Sequence, residues 1–160
     1  LTARAWMVDE YLLRPGPDGR PRITRAALQT PAKPAAAVLL HGHCYQKAQP
    51  PAADGYPVGQ AASAALLRAA GYDVEIVPSG CCGMAGAFGY EAEHYAVSMQ
   101  VGELVLLPAV RQAKAQGRVV AAAGTSCRSQ IADSADEAAR HPIQWVAERL
   151  SLNAPAFIEG

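Results

Sequence analysis

The sequence lacks any imbalance of charge: 14 Lys and Arg residues face 14 Asp and Glu in 160 residues. With no basic stripe interleaved with aromatics either, a nucleic-acid partner is not expected. Long apolar runs are missing too. The longest, AAAVLL and LVLLPAV, stop far short of the roughly 18 to 20 residues that cross a bilayer, so the segment is not expected to be transmembrane, and any membrane association would be peripheral. The opening LTARAWMVDEYLL carries Arg4, Asp9 and Glu10 within its apolar pattern, so it lacks the uninterrupted core of a secretory signal and predicts an intracellular, cytoplasmic setting. Because the chain begins with Leu1 rather than Met, a domain cut from something longer is expected. No repeat of fixed long period and no low-complexity tail is visible. Neither G-x-G-x-x-G nor the Gly-Lys-Ser/Thr ending of a P-loop is present, which argues against a nucleotide cradle, and no flavin fingerprint occurs. No C-x-x-C pair remains among the four cysteines.

What is there suits one compact domain. Hydrophobic residues make up 51% and charged residues 18%, against extensive disorder. A chain of this length can bury roughly 70% of the surface its unfolded form exposes. Residues 2–13 have a helical apolar rhythm, and RPGPDGRP after them reads as turns. AAAVLLHG (35–42) is the short continuous apolar run of a strand buried on both faces. Residues 57–70 predict a small-residue helix opening at Pro57 and closing at Gly71. YDVEIVPS reads as a second strand. Residues 90–107 predict a long helix, broken or restarted at Pro108 and running to Gly117, and RVVAAAG (118–124) reads as a third strand. TSCRSQIADSADEAAR holds a short helix with Thr125 or Ser126 placed to cap it. HPIQWVAERL makes a last helix with Pro142 at its start.

This alternation predicts an α/β fold: a mostly parallel sheet flanked by helices in a Rossmann-like three-layer arrangement. Residues 1–34 read as an N-terminal helix and linker, and 35–160 as a single cysteine-rich domain. One consequence outweighs the others. Cys44 follows the first strand, Cys81 and Cys82 the second, and Cys127 the third, so all should leave the carboxyl edge of the sheet, where open α/β folds bind ligands.

Four cysteines in an intracellular setting point to metal or redox chemistry before a disulfide framework. A single cysteine is often only a small buried hydrophobe, but four beyond strand ends are hard to assign to packing alone. As thiolates they could hold zinc or an iron–sulfur cluster. Gly80, Gly83, Gly86 and Gly89 would let the backbone bend and approach such a ligand, with N–H groups turned toward it; a turn-rich loop is the plainer alternative. His41 and His43 could ligate, or serve as hydrogen-bonding groups at a strand end. His94, near Tyr90, Glu91 and Glu93, belongs more simply to a solvated helix face. Lys47 and Arg128 flank thiols and would lower their pKa if close. Met84 and Phe88 would roof the site, and Trp145 is core.

The blocks HGHCYQKA, SGCCGMAGAFGYEAEHY and GTSCRSQI, in that order over about residues 36–150, resemble the cysteine-rich CCG domain. That domain lies at the C-terminus of FAD-linked oxidoreductases with an iron–sulfur segment, the glycolate oxidase and D-lactate or D-2-hydroxyglutarate dehydrogenase group, and also in heterodisulfide reductases. The family pattern is one cysteine, then Cys-Cys-Gly, then Cys-x-x-Cys, in two copies. The resemblance implies Cys44, Cys81, Cys82 and Cys127 as ligands of an iron–sulfur cluster, with zinc as the alternative metal, and Gly80, Gly83, Gly86 and His43 around it. It implies an electron-transfer domain, not catalytic alone, serving a 2-hydroxy-acid oxidoreductase whose FAD sits in a partner flavin domain and whose electrons go on to an acceptor. This sequence departs from the pattern in carrying one copy and in placing Gln130 where the last cysteine would stand, one thiol fewer than the five-thiolate cluster of the reductases. A zinc-stabilised structural module and a thiol–disulfide domain are the alternatives.

Overall fold

The structure is a computed structural model that describes residues 5–24, 28 and 36–150. Its centre is a three-stranded, wholly parallel sheet of order β2-β1-β3, with β1 at Ala37–His41, β2 at Asp73–Ile76 and β3 at Val119–Ala122. In the register, Val38 lies beside Val74 on one side and Val119 on the other. The helices are α1 (Val8–Leu13), α2 (Cys44–Lys47), α3 (Gly59–Ala69), α4 (Tyr95–Leu104), α5 (Leu106–Ala115), α6 (Thr125–Ala135) and α7 (Pro142–Ala147), with a 3₁₀ turn at Phe88–Tyr90.

The apolar run of β1 is explained by its two covered faces. Val38 and Leu40 join Leu66, Leu67, Tyr72, Val74 and Val146 in one core, while Leu39 joins Leu106, Leu107, Val110, Val120 and Ile131 in the other. Alternate residues of one strand thus feed two helix layers, as the pleat requires. Each fully buried leucine contributes about 1.5–3 kcal/mol. The cysteine segments follow strands that run the same way, so all three leave the carboxyl edge.

Several boundaries differ from the expectation. The helix expected from Pro57 begins at Gly59, whose φ of +54° and close approach to the Gln46 carbonyl would put an added Cβ 2.1 Å from that oxygen. The helix break expected at Pro108 falls at Val105, which leaves Pro108 in the first turn of α5, where its missing N–H costs nothing. Neither Thr125 nor Ser126 caps α6: both lie inside it, and Gly124 is the cap. At α7 the cap is His141, whose ring accepts from the Ile143 N–H while Gln144 accepts from the His141 N–H.

The N-terminal segment packs onto this body. Glu10 accepts the Gly59 N–H at 2.9 Å, supplying the cap that Val58 cannot give α3, and Arg14 forms a bidentate pair with Asp54 while lying over the Trp6 ring. Of the linker expected before residue 35, residues 25–27 and 29–34 lie outside the described residues, as do residues 2–4 of the first expected helix. No helix among the described residues is long and apolar enough to cross a membrane.

Candidate functional site

The carboxyl ends of β1 and β3 are adjacent although the chain visits β2 between them, which makes their junction the switch point of the sheet. At this junction the His43 ring lies against Gly124. A Cβ on Gly124 would stand 2.2 Å from His43 Cδ2 and 3.0 Å from the Cys127 sulfur, so only glycine lets the two loops meet. His43 also caps α2, its Nδ1 accepting from the Tyr45 N–H at 3.2 Å, and its Nε2 lies 3.9 Å from the Cys44 sulfur. His41 is buried differently: its Nδ1 pairs with the Ser79 hydroxyl at 2.8 Å, and burial, helped by Lys47 and His43, lowers its pKa from 6.5 to about 3. It is a neutral structural group.

The vicinal pair sits on a tightly turned loop. Gly83 has φ +95°, Ala85 +44° and Gly86 +74°. The turn aims the N–H groups of Met84 and Ala85 at the Cys82 sulfur, and the Gly83 N–H at the Cys81 sulfur at 3.3 Å. Cys82 and Cys127 hydrogen-bond to each other. Donation from Cys127 is the main reason the Cys82 thiol is pushed down, with the backbone donors adding to it; that shared bond, burial and the neighbouring thiolates push Cys127 up. The two thiols titrate as a coupled pair, Cys82 held down and Cys127 held up. All four cysteines are free; Cys44 is exposed, Cys81 half-buried, Cys82 and Cys127 buried. The site thus runs from surface to core.

Lys47 ties the loops together. Its ammonium donates to the carbonyls of Ser79 at 2.5 Å and Gly80 at 2.9 Å, just before Cys81. Burial lowers its pKa, and Cys127, Cys44, Cys81 and Cys82 all oppose that shift. One cation is thus within electrostatic reach of all four thiols. Arg128, the cation next to Cys127 in sequence, instead donates to the carbonyls of Ala122 and Ala123 and to the Thr125 hydroxyl.

The remaining residues divide. Gly83 and Gly89 are close-packing positions against α4: a Cβ would meet the Ser98 carbonyl oxygen at 2.1 Å and the Ser98 hydroxyl at 2.3 Å respectively. Gly80 and Gly86 have open space where a Cβ would be. Met84 is a buried member of the core that holds Cys82 and Cys127, not a roof. Phe88 stacks on His94 at 4.0 Å, and His94 pairs with Glu91 on a half-exposed helix start. Trp145 packs on the α3 side, its indole donating to the Val120 carbonyl. Gln130 is buried, its amide near the carbonyl and hydroxyl of Ser98, filling space behind the Gly83 turn. Ser79, Gln46 and Asp9 also support the site, and residue types alone do not point to them. The only signal in the sequence is the capping pattern His43-x-x-Gln46, which places Gln46 on the His43 N–H.

Four thiols from the segments after three strands, one already favoured as thiolate, fit a soft metal or an iron–sulfur cluster in kind and number. Their present spacing is looser than a closed cage: among the described residues no three His, Cys, Asp or Glu side chains stand ready to hold one ion. A cavity of about 530 Å³ opens beside α2, lined by Gln46, Lys47, Tyr56, Val58 and Gln60, and no thiol lines it.

No protein-family model matches the chain, and no solved structure matches it significantly. Among curated proteins it is similar to D-2-hydroxyglutarate dehydrogenase of Escherichia coli (strain K12), 36% identical over 107 residues, which are 67% of this chain and 10% of that protein. It is also similar to one component of the anaerobic glycerol-3-phosphate dehydrogenase of the same organism, 32% identical over 87 residues, or 54% of this chain and 21% of that protein. D-2-hydroxyglutarate dehydrogenase of Pseudomonas putida aligns at 27% over 147 residues, 87% of this chain and 14% of its own length. The chain thus corresponds to between a tenth and about a fifth of these three relatives, and it is related to segments of larger dehydrogenases.

Proposed function

We propose that this chain is a CCG-type electron-transfer domain of a larger FAD-linked oxidoreductase acting on a 2-hydroxy acid, with Cys44, Cys81, Cys82 and Cys127 as ligands of an iron–sulfur cluster. The observation that carries the proposal is that three parallel strands deliver all four cysteines to one edge of the sheet, where Lys47 ties the start of α2 to the carbonyls just before Cys81. Likeness to segments of two kinds of dehydrogenase agrees with it. Such a cluster, when bound, accepts and returns single electrons. The protein's own part is to hold it: Lys47 offsets thiolate charge, the Met84 and Ala85 N–H groups aim at the Cys82 sulfur, and the exposed edge at Cys44 faces outward toward a flavin domain or an acceptor. Cytoplasmic location and a flavin-domain partner belong to the same proposal.

Anaerobic reconstitution with iron and sulfide, followed by metal and sulfide analysis and EPR, tests it. Iron and sulfide in fixed ratio with an EPR signal support it; zinc alone, with a melting temperature lowered by chelator, would replace it by a structural metal module. In the parent enzyme, Cys82→Ala should stop electron delivery to the acceptor while sparing flavin reduction by substrate. Loss of both steps together would count against the assigned role.

A second reading is favoured by the hydrogen-bonded pair of Cys82 and Cys127. In it, an external oxidant takes two electrons from the Cys82 thiolate and the Cys127 thiol, the one thiol proton leaves as the S–S bond forms, and a reductant with one proton reverses the step. Thiol titration before and after mild oxidation of the metal-free protein decides: an unchanged count excludes it.

A further inference from the structure

We infer that Asp9, in the N-terminal helix, is a positioning residue for Cys44, acting through a buried hydrogen-bond relay Asp9–Ser63–Gln46–His43 that sets the start of α2. The inference rests on Cys44 being one of the site thiols. The three relay side chains come from α1, α3 and α2 and are 2%, 0% and 3% exposed for Asp9, Ser63 and Gln46. Water has little access to substitute for a lost partner, so the direction of each bond matters.

The direction is fixed from one end. Both Asp9 carboxylate oxygens only accept: Oδ1 takes the Glu10 N–H at 3.1 Å and Oδ2 takes the Ser63 hydroxyl. With its proton committed to Asp9, Ser63 can only accept from Gln46, whose Nε2 donates to it at 2.9 Å. That orients the Gln46 amide so that Oε1 accepts the His43 N–H at 3.1 Å. His43 is the residue before Cys44, and Cys44 opens α2. A carboxylate on α1 thereby settles which way an amide points beside the first thiol.

An isosteric change breaks this logic without changing volume. Asn at position 9 offers one acceptor and one donor where two acceptors are needed. If its oxygen keeps the Glu10 N–H, its amide donates to Ser63; the hydroxyl proton then turns to Gln46 and the Gln46 amide inverts, setting Nε2 against the His43 N–H, donor to donor. The cap of α2 opens and Cys44 loses its fixed start.

The test compares Asp9→Asn with wild type in the reduced, metal-free full chain. Amide hydrogen exchange over 43–47 should accelerate by a factor of about five to ten, the scale of a lost capping bond. Exchange over 106–115 should stay unchanged, and alkylation of Cys44 by iodoacetamide should change at least about twofold relative to Cys81. Wild-type exchange at 43–47 with unaltered Cys44 alkylation would overturn the inference, as would an acceleration shared equally by 106–115, the sign of a general loss of stability. Should Asp9→Asn fail to fold, Ser63→Ala cuts the same relay at its middle and is judged by the same measurements. Iron loading of the wild type is scored separately: no iron there, with the expected exchange pattern in the variant, removes the cluster proposal and leaves the relay standing.

Discussion

The Lys47 ammonium donates to the Ser79 carbonyl at 2.5 Å and so joins the helix that begins at Cys44 to the strand exit that leads into Cys81. Lys47→Met keeps most of the stem and removes both carbonyl bonds, to Ser79 and to Gly80. Amide exchange over 79–83 is then expected to accelerate by roughly five- to tenfold, the scale of about 1 kcal/mol of lost hydrogen bonding. Hydrogen-exchange mass spectrometry measures it, and wild-type rates over that stretch would take Lys47 out of the site.

The opposite shifts of the coupled pair Cys82 and Cys127 give a pH profile of stability with a definite sign. Cys82, an acid with its folded pKa held below the ordinary 9.0, adds stability that is fully present above 9.0 and lost as pH falls through the folded value. Cys127, an acid with its folded pKa raised, favours the folded state only while protonated, so its contribution declines once pH passes 9.0. His41, a base lowered from 6.5 to about 3, costs stability progressively as pH falls from 6.5 toward 3. The urea midpoint of reduced, metal-free protein should therefore rise from acid through neutrality, peak near the ordinary thiol pKa and then fall. A midpoint that stays level across the alkaline limb would mean the two thiols titrate independently.

Much of this arrangement was legible in the sequence, and the reasons are specific. The run Val38–Leu40 needs two covered faces, so it predicts a central parallel strand, and three strands followed by cysteines must deliver them to one edge. What sequence could not reveal depends on partners far along the chain. Asp9 and Glu10 read as charges interrupting an apolar helix, yet both are buried because Ser63 and the Gly59 N–H meet them. Gly83 reads as a ligand-approach glycine, while its nearest obstacle is the Ser98 carbonyl, fifteen residues later. The helix break escaped for a local reason: Pro108 is tolerated in a first turn, so the disruption falls three residues earlier, at Val105.

The glycines of the vicinal loop should separate by substitution to alanine. Gly83→Ala combines φ +95° with a Cβ placed 2.1 Å from a helix carbonyl, and a shift of α4 or of the loop is unavoidable. A loss of about 2–4 kcal/mol is expected, together with displacement of the Cys82 sulfur from its N–H donors. Gly80→Ala, with ordinary φ and open space, should stay within about 0.5 kcal/mol. Denaturant titrations of the two variants measure the contrast, and equal losses would contradict the packing described.

Gln130 occupies the position at which the resemblance calls for a further cysteine, three residues after Cys127 on α6. Its amide nitrogen lies 3.4 Å from both the carbonyl and the hydroxyl of Ser98, and it would sit 3.3 Å from a Cβ on Gly83, so it braces the turn that carries Cys82. Gln130→Cys shortens the side chain, vacates buried volume and leaves Ser98 without this donor. A destabilisation of about 1–3 kcal/mol is expected in the metal-free protein. If the new thiol can reach a cluster, metal binding should return part of that loss, since a ligand taken up only by the folded state stabilises it. Melting temperatures of Gln130→Cys and wild type, each with and without reconstituted iron and sulfide, separate the two effects. A wild-type melting temperature in the metal-free variant would show that Gln130 does not support the vicinal loop.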